Sequence, residues 1–224
     1  MKKLNHELGC FNVYECENGV YAISEAYKNT TATSYLICGD NQSILLDTGC
    51  GIGRIKKLVF SLTSLKPIIM NSHPAPYHSG ANKKFDIVQI LNEENGIDYL
   101  TFGKEDDWIA SQEKLMEEDV TFFPSMFTTV TNGKVYPLGG KYVEIIANDA
   151  TKINGMMLAD HENKQLFTGD IFDETFIENL DENQKQDYLN ELKNVIHQYQ
   201  DYTWYFSIGD INPERKSELI KKYA

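Results

Sequence analysis

The run Ile68-Ile69-Met70, followed at once by Asn71-Ser72-His73-Pro74-Ala75-Pro76-Tyr77-His78-Ser79-Gly80-Ala81-Asn82, constrains the fold more than any other part of the chain. Three apolar residues, bounded upstream by Pro67, are too few for a helix and read as a buried strand. The strand delivers two imidazoles to one loop without an intervening turn. Open α/β folds place their chemistry beyond the carboxyl ends of such strands. Pro74 and Pro76 fix their own backbone angles and bias the preceding residues toward extended conformations, so the loop is expected to be a rigid connector.

The flanking pattern supplies the sheets. Short apolar or alternating runs predict strands at 11–14, 20–24, 34–38 and 43–47, with Glu17-Asn18-Gly19 and Gly39-Asp40-Asn41 as hairpin turns. Ile55, Leu58, Val59, Leu62 and Leu65 share one face of a helix predicted over 54–65. A strand at 86–91 and a helix at 105–118 follow. The segment 120–131, with Phe122, Phe123, Met126 and Phe127, is apolar but aperiodic, and reads either as a loop capping the core or as an aromatic pocket wall. The second half repeats the style of the first, with strands at 142–147, 155–160, 165–168 and 204–208, a turn at His161-Glu162-Asn163-Lys164, and helices at 181–199 and 213–223. Two β-rich halves with intervening helices predict one α/β domain over 1–224. Its economical form is a four-layer αββα sandwich, two mixed sheets packed face to face with helices outside.

Composition removes several function classes. The net charge is −12 and arginine occurs only at Arg54 and Arg215, so no basic patch is available for a phosphate backbone and nucleic-acid binding is not expected. The lysine pairs 2–3, 56–57, 83–84 and 221–222 read as solvated faces. The basic start of the chain lacks the apolar run of a signal peptide, and no stretch approaches the ~18 apolar residues that span a bilayer. A cytoplasmic protein without membrane contact is expected. Cys10, Cys16, Cys38 and Cys50 form no C-x-x-C pair and are expected to be free, mostly buried thiols, with Cys50 placed to face a pocket after Asp47-Thr48-Gly49.

Four elements occur in one order: Ile44-Leu45-Leu46-Asp47-Thr48-Gly49, the 71–82 loop, Asn132-Gly133-Lys134-Val135-Tyr136-Pro137-Leu138-Gly139-Gly140-Lys141, and Gln165-Leu166-Phe167-Thr168-Gly169-Asp170. Together they resemble the metallo-β-lactamase superfamily, with the likeness spanning about 34–212. The resemblance implies the αββα fold and a centre in which two dications share a hydroxide that attacks a carbonyl, ester or phosphoryl centre. It also implies a His-x-His-x-Asp-His loop, whose positions are filled here by His73, Ala75, Tyr77 and His78. The third-histidine element matches Asn148-Asp149-Ala150-Thr151 and puts Ala150 in place of an imidazole. Asp170 keeps the bridging carboxylate, and Asp210 stands where a final histidine is expected.

On that correspondence the first-metal position keeps only His73 and Asp170, fewer protein ligands than zinc takes. The second keeps His78, Asp170 and Asp210, a set that suits at most one Zn, Fe or Mn ion, with His73 as a further ligand or proton carrier. Tyr77, with a reference pKa of about 10, is a poor general base and is expected to pack into the vacated pocket. Asp47 is expected to hold His73 or the loop backbone by hydrogen bonding. His6, His161 and His197 fall outside the motifs, and no catalytic residue is assigned. Two functions follow. One is a protein with a degenerate di-metal centre, non-catalytic or weakly active, that binds a small molecule or partner in the retained pocket. The other is a single-metal hydrolase of a small ester, thioester or lactone.

Overall fold

A computed structural model describes residues 1–27, 30–73, 75–102, 125–148, 155–172, 180–207 and 214–223. Eight strands form one sheet in sequence order: β1 (Lys2–Leu4), β2 (Phe11–Glu15), β3 (Val20–Tyr27), β4 (Thr30–Cys38), β5 (Ser43–Leu46), β6 (Pro67–Met70), β7 (Val88–Leu91) and β8 (Phe127–Val130). Pairing is antiparallel from β1 to β5 and parallel from β5 to β8. The second sheet has the order β13-β12-β11-β10-β9, built from β9 (Val135–Pro137), β10 (Tyr142–Asn148), β11 (Gly155–Asp160), β12 (Gln165–Phe167) and β13 (Thr203–Tyr205). Only its β12–β13 pair is parallel.

The central strands show why the molecule is layered. All four residues of β5 and all six of β11 are buried, yet successive side chains must point to opposite faces of a sheet. Ile44 and Leu46 enter an apolar cluster with Met156, Leu158 and Phe167 of the other sheet, which is the inter-sheet core. Leu45 falls in the cluster that includes Ile55, Leu58 and Val59 of helix α1 (Ile55–Leu62). Met157, Ala159 and Leu166 belong to that cluster too, with Tyr188, Leu192, Val195 and Ile196 of a later helix. Both sheets are therefore covered on both faces, which produces the αββα sandwich that the sequence pattern predicts.

Among the described residues the remaining α-helices are α2 (Pro76–Ser79), α3 (Glu94–Phe102), α4 (Glu182–Tyr199) and α5 (Arg215–Tyr223). Asp181 caps α4 by accepting from the Gln184 amide, while the Gln184 side chain accepts from the Asp181 amide, a reciprocal capping box that fixes the start of the helix. Several expectations need correction. Segment 120–131 is not simply a loop, because β8 runs through it and pairs with β7; Phe122 and Phe123 lie outside the described residues. Strands β1 and β9 and helix α3 were not anticipated, and the helix expected at 105–118 also lies outside the described residues. Of the four thiols only Cys50 is buried; Cys10 is exposed and the other two are half-buried. Among the described residues no helix is long and apolar enough to cross a membrane.

Candidate functional site

Strand β5 ends at Leu46, and the chain turns at Asp47 in the left-handed region, φ 66°. Asp tolerates that conformation better than most residues. Its amide donates to Met70 O at 2.7 Å, so the turn stays tied to the end of β6. The Asp47 carboxylate accepts from the Ser72 amide at 2.7 Å through Oδ1, and through Oδ2 from the Ser72 hydroxyl at 2.7 Å. The same Oδ2 lies 2.8 Å from His78 Nδ1. Asp47 therefore holds the loop backbone, and its imidazole partner is His78 rather than His73.

The other end of that ring is equally committed. His78 Nε2 lies 2.8 Å from Asp170 Oδ2, so one imidazole bridges two carboxylates, and all three residues are buried. Asp170 follows Gly169, whose φ of 53° and 3.1 Å approach of a notional Cβ to Ser72 favour glycine there. Burial alone would strip the proton from His78, but the Asp170 and Asp47 charges and hydrogen bonds overcome it and raise its pKa well above the usual value. Burial likewise pushes the Asp170 carboxyl up, but the His78 charge and hydrogen bond outweigh it and hold it below its ordinary value. The bridge is an imidazolium with both N–H groups donating.

His73 sits in the same loop under the opposite balance. Burial lowers its pKa to about 3 despite the Asp170 charge, so the ring is neutral. Its ring stands 6.1 Å from that of His78, edge to face. His73, Asp170, Ser72 and Thr168 line a cavity of about 10 Å³, which is room for about one water molecule. Asp170 Oδ1 is buried with no hydrogen-bond partner among the described residues. Tyr77 does not fill this space: it is absent from the lining and packs with Ala32 and Cys50. Cys50 faces neither this cavity nor solvent, and burial pushes its thiol up to about 12. Ala75 is fully buried, and its carbonyl accepts from the His78 and Ser79 amides as α2 begins. Asp210 and Ala150 lie outside the described residues.

Several positioning residues were not singled out from the sequence. The His78 carbonyl accepts from the Thr48 amide at 2.7 Å and from Asn71 Nδ2 at 2.8 Å, while Asn82 is bonded to both donors' side chains. Glu25 of β3 is buried and accepts from the Cys50 amide at 2.8 Å and from the Gly53 amide, pinning the turn after Asp47. An ionisable residue within an otherwise buried stretch of strand was the available signal. Gly80 allows the two loops to touch, since a Cβ there would lie 2.3 Å from the Cys50 carbonyl carbon. The Ser72 carbonyl accepts from the Met156 amide at 2.7 Å, joining this loop to β11 of the other sheet.

A metal ion needs several convergent donors with free lone pairs. Among the described residues no group of three His, Cys, Asp or Glu side chains could hold one. Both His78 nitrogens are already directed at carboxylates, and Ala75 offers no donor. The described residues therefore do not fit a di-metal centre.

The fold has known counterparts. The chain matches a metallo-β-lactamase from Pontibacter korlensis at 15% identity and TM-score 0.64, covering 95% of this chain and 97% of the other. It matches an archaeal metallo-β-lactamase superfamily protein from Sulfolobus tokodaii at 19% identity and TM-score 0.63, covering 93% and 86%. A rubredoxin oxygen:oxidoreductase from Desulfovibrio gigas matches at 13% identity and TM-score 0.60, covering 94% of this chain and 60% of that one. Searches against family models and against curated proteins found no match. The chain has the metallo-β-lactamase fold, in a divergent sequence.

Proposed function

We propose that this chain is a non-hydrolytic form of the metallo-β-lactamase fold, with a degenerate di-metal centre, that binds a small molecule or partner instead of turning one over. The observation that carries this reading is the Asp47–His78–Asp170 bridge, with both contacts at 2.8 Å. In it the imidazolium proton on Nε2 occupies the line along which a cation shared by His78 and Asp170 would bind. A metal shared by these two residues must displace that proton and break a buried, charge-assisted hydrogen bond before it gains His78 as a ligand. Ala75 and Tyr77 stand at two positions where the family resemblance implies donors, so little coordination energy offsets the loss.

The test is elemental analysis after incubation with Zn, Mn and Fe, paired with assays on small thioester, ester and lactone substrates. Less than roughly one-tenth of a metal per chain is expected, since a working zinc site needs about three protein ligands. A tight equivalent of metal that disappears in Asp170→Ala would overturn the reading.

A single-metal hydrolase is the second reading, and one observation favours it. Asp170 Oδ1 is buried without a hydrogen-bond partner among the described residues and lines a small cavity with His73. In that reading the ion is held by His78, Asp170 and Asp210, with His73 as a further ligand, and it requires the His78–Asp170 hydrogen bond to open.

A further inference from the structure

The turn between β11 and β12 carries an imidazole that the centre at His78 does not use. His161 Nε2 lies 2.7 Å from Glu144 Oε2 on β10, and His161 Nδ1 lies 2.9 Å from the hydroxyl of Tyr202, in the link from α4 to β13. The direction of this relay is fixed by its acidic end. A carboxylate can only accept, so the neutral ring carries its hydrogen on Nε2, and Nδ1 is left to accept from the Tyr202 hydroxyl. A hydroxyl bonded to a base, with the base oriented by a carboxylate, is the arrangement of an activated nucleophile.

Each part is held in place. The fully buried Asp160 carboxylate accepts from the Asn163 amide at 3.0 Å and from Asn163 Nδ2 at 2.8 Å, closing the turn that presents His161. The buried Tyr199 ring lies nearly parallel to the imidazole, with centres 6.4 Å apart, and meets the Tyr202 ring edge to face at 5.0 Å. The Tyr202 amide donates to Tyr199 O at 3.0 Å, and its carbonyl accepts from Lys216 Nζ at 2.6 Å. The relay is nevertheless open to solvent, with the His161 and Glu144 side chains 45% and 30% exposed. Burial, together with the Asp201 charge, raises the Tyr202 phenol above its usual value. The phenolate therefore does not form by itself, and the proton has to pass to His161 as the oxygen reacts.

We propose that Tyr202 is a covalent acyl-acceptor site for small activated esters and thioesters, with His161 as its general base and Glu144 as the residue that positions the base. Tyr202 Oη bonds to the acyl carbon while its proton moves to His161 Nδ1. The bond from that carbon to the leaving oxygen or sulfur breaks, the electron pair departs with the leaving group, and the proton follows from His161. The three residues supply a nucleophile and a base but no donor for the developing oxyanion, so the acyl donor must bring a good leaving group. The site shares no residue with the Asp47–His78–Asp170 bridge and needs no metal.

The probe is p-nitrophenyl acetate, applied to the full chain in EDTA, with acetylation read residue by residue by peptide mass spectrometry. Tyr142, 56% exposed and not hydrogen-bonded to an imidazole among the described residues, is the internal reference. Tyr202 should be acetylated at least about tenfold faster than Tyr142, since a positioned base supplies roughly 10²–10⁴-fold. His161→Gln should lower the Tyr202 rate at least about tenfold, and Glu144→Gln by less, while Tyr142 reacts as before. A merely structural clasp predicts the opposite, because releasing the phenol from His161 would expose it and speed its labelling. Tyr202 labelled no faster than Tyr142 overturns the proposal. So does a Tyr202 rate that is unchanged or raised in either variant. Both results leave the reading of the centre at His78 untouched.

Discussion

His73 and His78 belong to one loop, are both buried and stand 6.1 Å apart, yet they carry opposite protonation states. His73 shows what burial does by itself: the charged form loses its water and the ring becomes neutral. His78 shows that two carboxylates at hydrogen-bond distance reverse the outcome. The lesson is that burial does not decide the charge of an imidazole; the partners at its two nitrogens do.

The hardest way to break this contrast is to remove the bridge. His78→Leu leaves Asp47 and Asp170 as buried carboxylates without their shared cation, and should cost about 3–5 kcal/mol in urea unfolding. A loss below about 1 kcal/mol would mean that the bridge does not hold the two loops together. Next in size is the pH profile. The raised His78 pKa contributes stability that is fully present below the unfolded value of 6.5 and is lost as pH rises toward the raised native value. The lowered His73 pKa works on the other side: from 6.5 down to about 3 the unfolded chain takes up a proton that the native ring refuses. Stability should therefore peak near pH 6.5 and fall by about 1.4 kcal/mol per pH unit on each side. Asp170, held below its ordinary 3.8, adds its own loss only in stronger acid. A flat profile between pH 5 and 8 would contradict both assignments.

The smallest effect isolates the neutral ring. His73→Leu exchanges one buried, uncharged side chain for another of similar size and should change stability at pH 7 by less than about 1.5 kcal/mol. It should abolish the acid limb of the profile and leave the alkaline limb intact. Loss of the alkaline limb instead would assign the raised pKa to the wrong histidine.

The layered fold could be read from local patterns because each central strand carries its own signal. Ile44-Leu45-Leu46 and the apolar face of 182–199 announce burial without knowledge of their partners. Helix α3 gave no such signal, since Glu94, Asn95 and Gly96 open it with polar and weakly helical residues. Strand β8 was hidden because Thr128 and Thr129 break the apolar pattern, and its parallel partner β7 lies a long connection away. The same division holds at the site. Asp47, His73, His78 and Asp170 stood out as motif positions. That His78 would spend both nitrogens on carboxylates 31 and 92 residues distant in sequence is a property of the assembled sandwich. Ser72 was overlooked because a lone serine beside His73 carries no distinctive signal; its importance lies in the amide, hydroxyl and carbonyl that the fold directs at Asp47 and Met156.

That residue has a kinetic consequence. Ser72 is bonded through its amide and hydroxyl to Asp47 and through its carbonyl to the Met156 amide, so the loop and strand β11 share one clasp. The Met156 proton can meet solvent deuterium only when that clasp parts. Its exchange rate is thus a single-site clock for loop opening, readable in the intact protein and independent of any substrate.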